Sequence, residues 1–321
     1  MLDVVTLGEV LIQLNATSNG PLRHVTYFEK HAAGAEANFA IGMTRLGFKA
    51  GIILRVRDDE FGIYVINLLR GEGLDISKIK YEKEAPNGVY FIQRNYPIPG
   101  KSSVLYYRKG SAASKMSIDD IEPKYIKNAK LLHLTGITPA LSSSCKEASF
   151  KALKIASEAG VTISVDTNIR LSLWSDEEEA RTTLLPMIEK ANIVLTEPQD
   201  AEILLGTRNP EDIAKKILQM GPETVAIKLG EKGAVAYTKR KSARKSAFKV
   251  PIEDVIGAGD AFAAGFISSL LRGLDLEAAL EIGNAAGALV VTVRGDFENM
   301  PSIDDVKKFL AAQRKEIADL R

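Results

Sequence analysis

Gly257, Ala258, Gly259 and Asp260 stand in a row at the head of a hydrophobic run that reaches Leu271. Two residues without side chains let the backbone turn sharply and bring its amides against a ligand. The run behind them reads as a helix ending before Gly273, a natural residue just past a helix C-terminus. A helix N-terminus offers unpaired N–H groups and the positive end of the dipole, and both favour phosphate oxygens. A carboxylate in that same turn works against anion affinity. It makes chemical sense as the base that takes a proton from a hydroxyl attacking a bound phosphate. Taken alone, the four residues equally suit a glycine-rich turn whose Asp complements the helix dipole. No G-x-x-x-x-G-K-[ST] stretch occurs in the chain. The G-x-G start has Phe262 at its sixth position and lies near the C-terminus, a poor match to a dinucleotide loop.

Two further places have residue types suited to a ligand. Ala33 and Gly34 open a helical stretch with Asn38 in its first turns and apolar Ile41, Met43 and Leu46 before Gly47. Backbone there can approach a ligand closely, and a small-residue turn for tight packing fits as well. Asp166, Thr167, Asn168, Ile169 and Arg170 follow directly on the strand-like run 161–165. The C-terminal ends of strands are where open α/β sheets place their ligands.

The elements that must hold these residues alternate along the chain. Runs 3–8, 50–56, 131–135, 161–165, 192–196 and 223–229 read as strands. Runs 58–69, 142–158 and 210–219 read as helices between them. Serial βα units predict one parallel sheet covered by helices. The stretch 11–28, with Asn19, Gly20 and Pro21, reads as irregular and turn-rich. From Asn87 to Ser111 the pattern changes: Tyr90 and Ile92 alternate with Val89, Phe91 and Gln93, and Tyr106 alternates with Leu105 and Tyr107. A turn over 96–100 joins the two runs, which predicts a hairpin inserted as a flap. The turn 230–233 leads into a strand over 234–237, and the five basic residues within 239–245 fit a solvated hairpin tip. No repeat, low-complexity tract or linker divides the sequence, so one domain spanning 1–321 is expected.

Size and charge narrow the classes of function. The chain has 321 residues, 45% of them hydrophobic, enough for a large core. Forty-two basic against 41 acidic side chains leave a net charge of +1, which argues against a nucleic-acid or membrane-surface role. Cys145 is the only cysteine, so no disulfide forms within the chain, and a reducing cytoplasm is the expected setting. No signal peptide or membrane span is visible. Three scattered histidines and one cysteine leave no zinc cluster.

The nine residues Asp254 to Phe262 resemble the C-terminal signature D-T-x-G-A-G-D-x-F of the ribokinase-like (PfkB) carbohydrate kinases, with Val255 in place of Thr. The run Ala33-Gly34 to Asn38 and Ala40 is similar to that family's G-G-x-x-x-N-x-A, with Ala33 for the first Gly. The resemblance covers essentially the whole chain. It implies a three-layer α/β/α sandwich with a mostly parallel central sheet and a small β-sheet lid, formed here by segments of about 10–32 and 87–111. It implies Asp260 as catalytic base, with the amides of Gly257, Ala258 and Gly259 as an anion hole. Gly34 and Asn38 then fall at sugar-contacting positions. Lys228, Leu229, Gly230, Glu231, Lys232 and Gly233 resemble the family's ATP loop, with Asn168, Arg170 and Asn284 as further nucleotide positions. Glu197-x-x-Asp200 stands where the family has N-x-x-E near Mg²⁺, and oxygen ligands suit a hard ion that keeps most of its waters.

Substrate class turns on two arginines. A neutral sugar needs no guanidinium, whereas Arg108 and Arg170 near one pocket favour an anionic substrate. Either could instead form a structural ion pair. Tyr90, Tyr106, Tyr107, Arg108 and the run Asp166 to Arg170 resemble the 2-keto-3-deoxygluconate kinases of the family, those of archaea above all. That resemblance implies an ATP-dependent sugar-acid kinase acting on the terminal hydroxyl of 2-keto-3-deoxygluconate and its galactonate epimer. Gly34, Tyr90, Tyr106, Arg108, Arg170, Asp260 and Asp296 would line its sugar site, and the lid would form the interface of a homo-oligomer. A fructokinase or ribokinase is the alternative within the family, and a catalytically dead interaction protein the alternative outside enzymes.

Overall fold

The structure, a computed structural model, describes residues 1–319. The chain opens on β1 (Leu2–Leu7), β2 (Leu11–Asn19) and β3 (Phe28–Ala33), and α1 (Ala35–Arg45) follows. Next come β4 (Ala50–Arg57), α2 (Glu60–Gly71), β5 (Asp75–Glu82), β6 (Val89–Arg94) and β7 (Ser103–Tyr107). A short α3 (Pro123–Lys127) leads to β8 (Ala129–Thr135), α4 (Ser143–Ala159), β9 (Thr162–Asp166) and α5 (Glu177–Lys190). They are followed by β10 (Ile193–Thr196), α6 (Pro198–Leu205), α7 (Pro210–Met220), β11 (Thr224–Lys228), β12 (Ala234–Thr238) and β13 (Ser242–Lys245). Three helices close the chain: α8 (Ala258–Leu271), α9 (Leu276–Val290) and α10 (Ile303–Asp319).

Nine strands form the main sheet in the order β13-β12-β11-β10-β9-β8-β1-β4-β5. Every pairing from β11 to β5 is parallel, and only the β11–β12 and β12–β13 pairings are antiparallel. Successive residues of a strand face opposite layers. Val4 and Leu131 pack into one core with Phe39, Phe262, Phe266 and Leu280; their neighbours Val5 and Leu132 pack into the other with Leu153, Leu184 and Ile217. Helices α1, α2, α8 and α9 therefore cover one face, and α4, α5 and α7 the other. This is the three-layer sandwich anticipated above. Among the described residues no helix is long and apolar enough to cross a membrane.

The second sheet is β3-β2-β6-β7, built from both segments anticipated to form a lid. Its β2 corrects the reading of 11–28 as irregular. This strand lies between β3 and β6, and Leu11, Ile12, Gln13, Asn15 and Ala16 are all buried, so no inside–outside alternation marks it. Its polar residues are paired, Gln13 with the Tyr90 hydroxyl and Asn15 with Arg94, which makes a strand look like a loop in sequence. Strand β5 was absent from the sequence reading for a different reason. It is an edge strand, and its Lys78, Lys80 and Glu82 are the charged residues that keep an open edge from pairing further.

Candidate active site

The start of α8 meets both glycine requirements. Gly257 caps the helix at φ +79°, a backbone region that disfavours side chains, and a Cβ there would lie 2.6 Å from the Asp296 carbonyl oxygen. The amides of Ala258, Gly259 and Asp260 thus begin a helix with no side chain capping them. Asp260 lies in this first turn and is only partly exposed. Desolvation is nevertheless the largest influence on its acidity and pushes its pKa up to about 7, opposed by the Asn38 amide, Lys228 and Arg170.

Asn38, in the second turn of α1, joins two carboxylates. Its Nδ2 donates to Asp260 Oδ2 at 2.8 Å and to Asp296 Oδ1 at 2.7 Å. The family resemblance made Asn38 a sugar contact; here its amide is turned to the acids. Asp296 is buried, and burial followed by repulsion from Asp260 drives its acidity well toward the neutral form. Tyr90 reaches across from β6, with its hydroxyl 3.5 Å from Asp296 Oδ2. Gly34 brings α1 close: a Cβ would lie 2.1 Å from the Glu9 carbonyl oxygen.

A second charged group approaches the same helix end from the sheet. Lys228 ends β11, and its ammonium contacts both oxygens of Asp166 at 2.7 and 3.0 Å. A Cβ on Gly259 would lie 3.4 Å from that Nζ. Burial would favour loss of the Lys228 proton, but the Asp166 and Glu197 carboxylates outweigh it and raise its pKa. Asp166, which opens the run singled out after the strand-like stretch 161–165, pairs Lys228 from the end of β9.

The remaining nucleotide candidates form a rim. Gly230, Glu231 and Lys232 make a single 3-10 turn after Leu229, and Gly233, at φ +87°, passes so near β13 that a Cβ would lie 2.1 Å from the Lys245 carbonyl oxygen. Asn284 donates its amide to the Lys245 and Ser246 carbonyls, so it ties α9 to the end of β13 instead of presenting a free amide. Asn168 adopts a positive φ of 31° between Asp166 and Arg170, a conformation Asn tolerates. Asp200 braces this same loop: its Oδ2 accepts from the Thr167 hydroxyl at 2.6 Å and the Ile169 amide at 3.1 Å. Glu197 keeps about half its side-chain surface open, 3.7 Å from Lys228. The described residues contain no ready-made cluster of three metal-ligating side chains.

A cavity of about 590 Å³ lies beside these residues, lined in part by Tyr106, Arg108, Lys109, Arg170, Ser172 and Trp174. Tyr90 and Tyr106 are paired across β6 and β7 with ring centroids 5.4 Å apart, so they share one face. Tyr107 necessarily faces the other way. It packs edge-on against Phe91 and is 63% exposed, which separates it from the cavity set of Tyr106 and Arg108. Arg108 lines the cavity, and it is also paired: Glu9 holds its Nε at 2.8 Å. Arg170 is exposed and forms no ion pair among the described residues.

Glu9 is a buried carboxylate beside the site that sequence reasoning missed. Glu9 follows Gly8 at the exit of β1, and that position at a strand's C-terminal end was its available signal. The structure brings Asp260, Asp296, Asn38, Tyr90 and Lys228 to one end of the main sheet, with Arg108 and Arg170 at the neighbouring cavity.

Comparison with known proteins agrees with this geometry. Residues 1–303 match the pfkB family carbohydrate kinases. A 2-dehydro-3-deoxygluconokinase of Thermoproteus tenax is 46% identical over 97% of this chain and 95% of that protein. One of Bacillus subtilis is 38% identical over 98% of this chain and 97% of that protein. A candidate ribokinase II of E. coli, solved in complex with ATP and Mg²⁺, superposes with a TM-score of 0.91 at 29% identity, covering 97% of this chain and 100% of that one. The family match over residues 1–303 and the whole-chain likeness lead to one conclusion: the chain belongs to the pfkB family of carbohydrate kinases.

Proposed function

We propose that this protein is an ATP-dependent sugar-acid kinase that phosphorylates the terminal hydroxyl of 2-keto-3-deoxygluconate, and of its galactonate epimer. The observation that carries the reading is Asp260, held by Asn38 in the first turn of α8 among its uncapped amides. The names of the two curated relatives support the substrate class. In this reading Asp260 accepts the hydroxyl proton while the amides of Ala258 and Gly259 and the Lys228 ammonium balance charge on the transferred phosphoryl group. The turn 230–233 and Asn168 hold the nucleotide. Asp296, Tyr90 and Tyr106 orient the sugar, with its carboxylate toward the Arg108–Arg170 cavity.

A magnesium ion accompanying ATP would supply positive charge to offset that of the phosphates. The open carboxylate of Glu197 suits contact with such a hydrated ion. Asp200 fits less well, because its Oδ2 is already occupied by two donors. We assign the described chain to one kinase unit, with the four-stranded sheet as a lid that closes over the sugar and forms a homo-oligomer interface. Support for the interface half is apolar and exposed: Leu105 and Tyr107 are 47% and 63% accessible on its outward face.

A coupled assay of ADP release across sugar acids and neutral sugars tests the activity. Turnover should require 2-keto-3-deoxygluconate or its epimer. A preference for fructose or ribose would overturn the sugar-acid reading.

A further inference from the structure

Arg108 and Arg170 face one cavity, yet their electrostatic states differ. Glu9 is only 1% exposed, and its Oε2 takes both Nε and Nη2 of Arg108, at 2.8 and 2.5 Å. The Ser111 hydroxyl donates to its other oxygen. Two glycines make room for Glu9, Gly88 at its carboxylate and Gly34, at the head of α1, at its backbone carbonyl. A Cβ on Gly88 would stand 2.7 Å from Glu9 Oε1, and one on Gly34 would strike the Glu9 carbonyl. The pair is therefore a seated part of the fold and not a surface encounter.

A buried ion pair presents little net charge to its surroundings, and removing one partner leaves the other uncompensated. Arg108 keeps Nη1 free of Glu9 and remains a directional donor on the cavity wall. Its positive charge is balanced. Arg170 forms no ion pair among the described residues, and the Asp166 and Asp260 carboxylates act on it only at longer range. Lys109 also lines the cavity, but a flexible, strongly hydrated ammonium discriminates less than a planar guanidinium. Glu36, the other buried carboxyl acting on Arg108, is already bonded to the hydroxyls of Thr135 and Thr138.

We propose that Glu9 is a positioning and specificity-determining residue: it makes Arg108 a charge-balanced donor and leaves Arg170 to separate a carboxylate substrate from a neutral one. This rests on the sugar-acid reading. It divides the work of the two arginines instead of giving both the same task.

Trp174, the only tryptophan, lines the cavity, so its fluorescence reports binding without turnover. The probes are 2-keto-3-deoxygluconate and 3-deoxyfructose, in which a CH₂OH group replaces the carboxylate. The measured quantity is the ratio of their Kd values. Arg170→Gln should lower the preference for the acid by about tenfold to a thousandfold, the loss typical of one partner of a desolvated charge pair. Arg108→Gln should weaken both ligands and change the ratio by less than about threefold, because only a neutral-equivalent donor is lost. Glu9→Gln should raise the ratio by about threefold or more by unmasking a cation, and Glu9→Gln with Arg108→Gln should restore the wild-type ratio. A merely structural role for Glu9 would weaken both ligands and leave the ratio alone. Arg108→Gln collapsing the ratio as Arg170→Gln does would overturn the proposal, as would Glu9→Gln leaving it unchanged or lower. Should Glu9→Gln fail to fold, the two arginine variants decide alone. Wild type that binds both probes equally would overturn the sugar-acid reading, and the proposal with it.

Discussion

Asp260 has to be ionised before it can accept a proton, and its surroundings make that conditional. With its pKa pushed up to about 7 by burial, this proposed base is half-protonated near neutrality in the free enzyme. Because kcat/KM reports free-enzyme groups, it should fall about tenfold per pH unit below that value and level off above about pH 8. A profile flat down to pH 5 would remove Asp260 as the base. Asp260→Asn keeps the size and cannot take the proton, so kcat should drop roughly 10²–10⁴-fold while ADP binding by calorimetry stays within about threefold. Near-normal turnover in a clean preparation would reject the assignment. At this scale the sequence was informative where chemistry and backbone coincide: Asp260 announces itself through the glycines beside it. Glu9 could not be recognised in the same way. Its meaning comes from Arg108, 99 positions away, and a lone Glu after a strand has no local pattern to mark it. Asn38 shows the same limit, since two carboxylates 222 and 258 positions on determine which way its amide turns.

Elements fix how closely these residues approach. The turn at 230–233 is held against β13 by Gly233, whose φ of +87° and missing Cβ allow backbone to pass backbone. Gly233→Ala adds both a strained dihedral and a clash with the Lys245 carbonyl, for a cost of about 1–3 kcal/mol at the turn. The expected outcome is a KM for ATP raised about tenfold or more, with Kd for the sugar acid little changed. Equal losses for both ligands would mean that the turn supports the whole fold and not the nucleotide. Main-sheet strands were readable because buried parallel strands centre on short apolar runs, as at 193–195 and 225–227. The lid strand β2 was not, because burial on both faces and paired Gln13 and Asn15 erase the alternation that marks a half-buried strand. Boundaries elsewhere moved by a residue or two: β9 spans Thr162–Asp166 where 161–165 was expected.

On the whole-molecule scale, the outward face of the four-stranded sheet carries Phe91, Leu105 and Tyr107, with Tyr107 63% exposed. If this face joins two copies, Leu105→Glu and Tyr107→Glu together should halve the mass seen by light scattering while thermal unfolding stays cooperative. Wild type that is strictly monomeric across a wide concentration range would remove the interface from the proposal. Sequence reading reached the layered architecture because serial βα units admit few topologies. It could not reveal that Arg94, on β6, bonds the Glu253 backbone and side chain just before the loop that leads into α8, since that contact joins residues 159 positions apart.

The pairing of β2 with β6 has a consequence for how such a protein changes over generations. The two strands run parallel, with Ile12 opposite Val89, and come from stretches separated by the whole of α1, β4, α2 and β5. No single contiguous segment encodes the small sheet, so exchange of one stretch with a related gene would install half of it against a foreign partner. Gly34 and Gly88, which both make room for Glu9, lie in different halves. A change of preferred sugar by recombination therefore has to carry residues 8–38 and 87–111 together, whereas point substitution at Arg170, outside both, remains open.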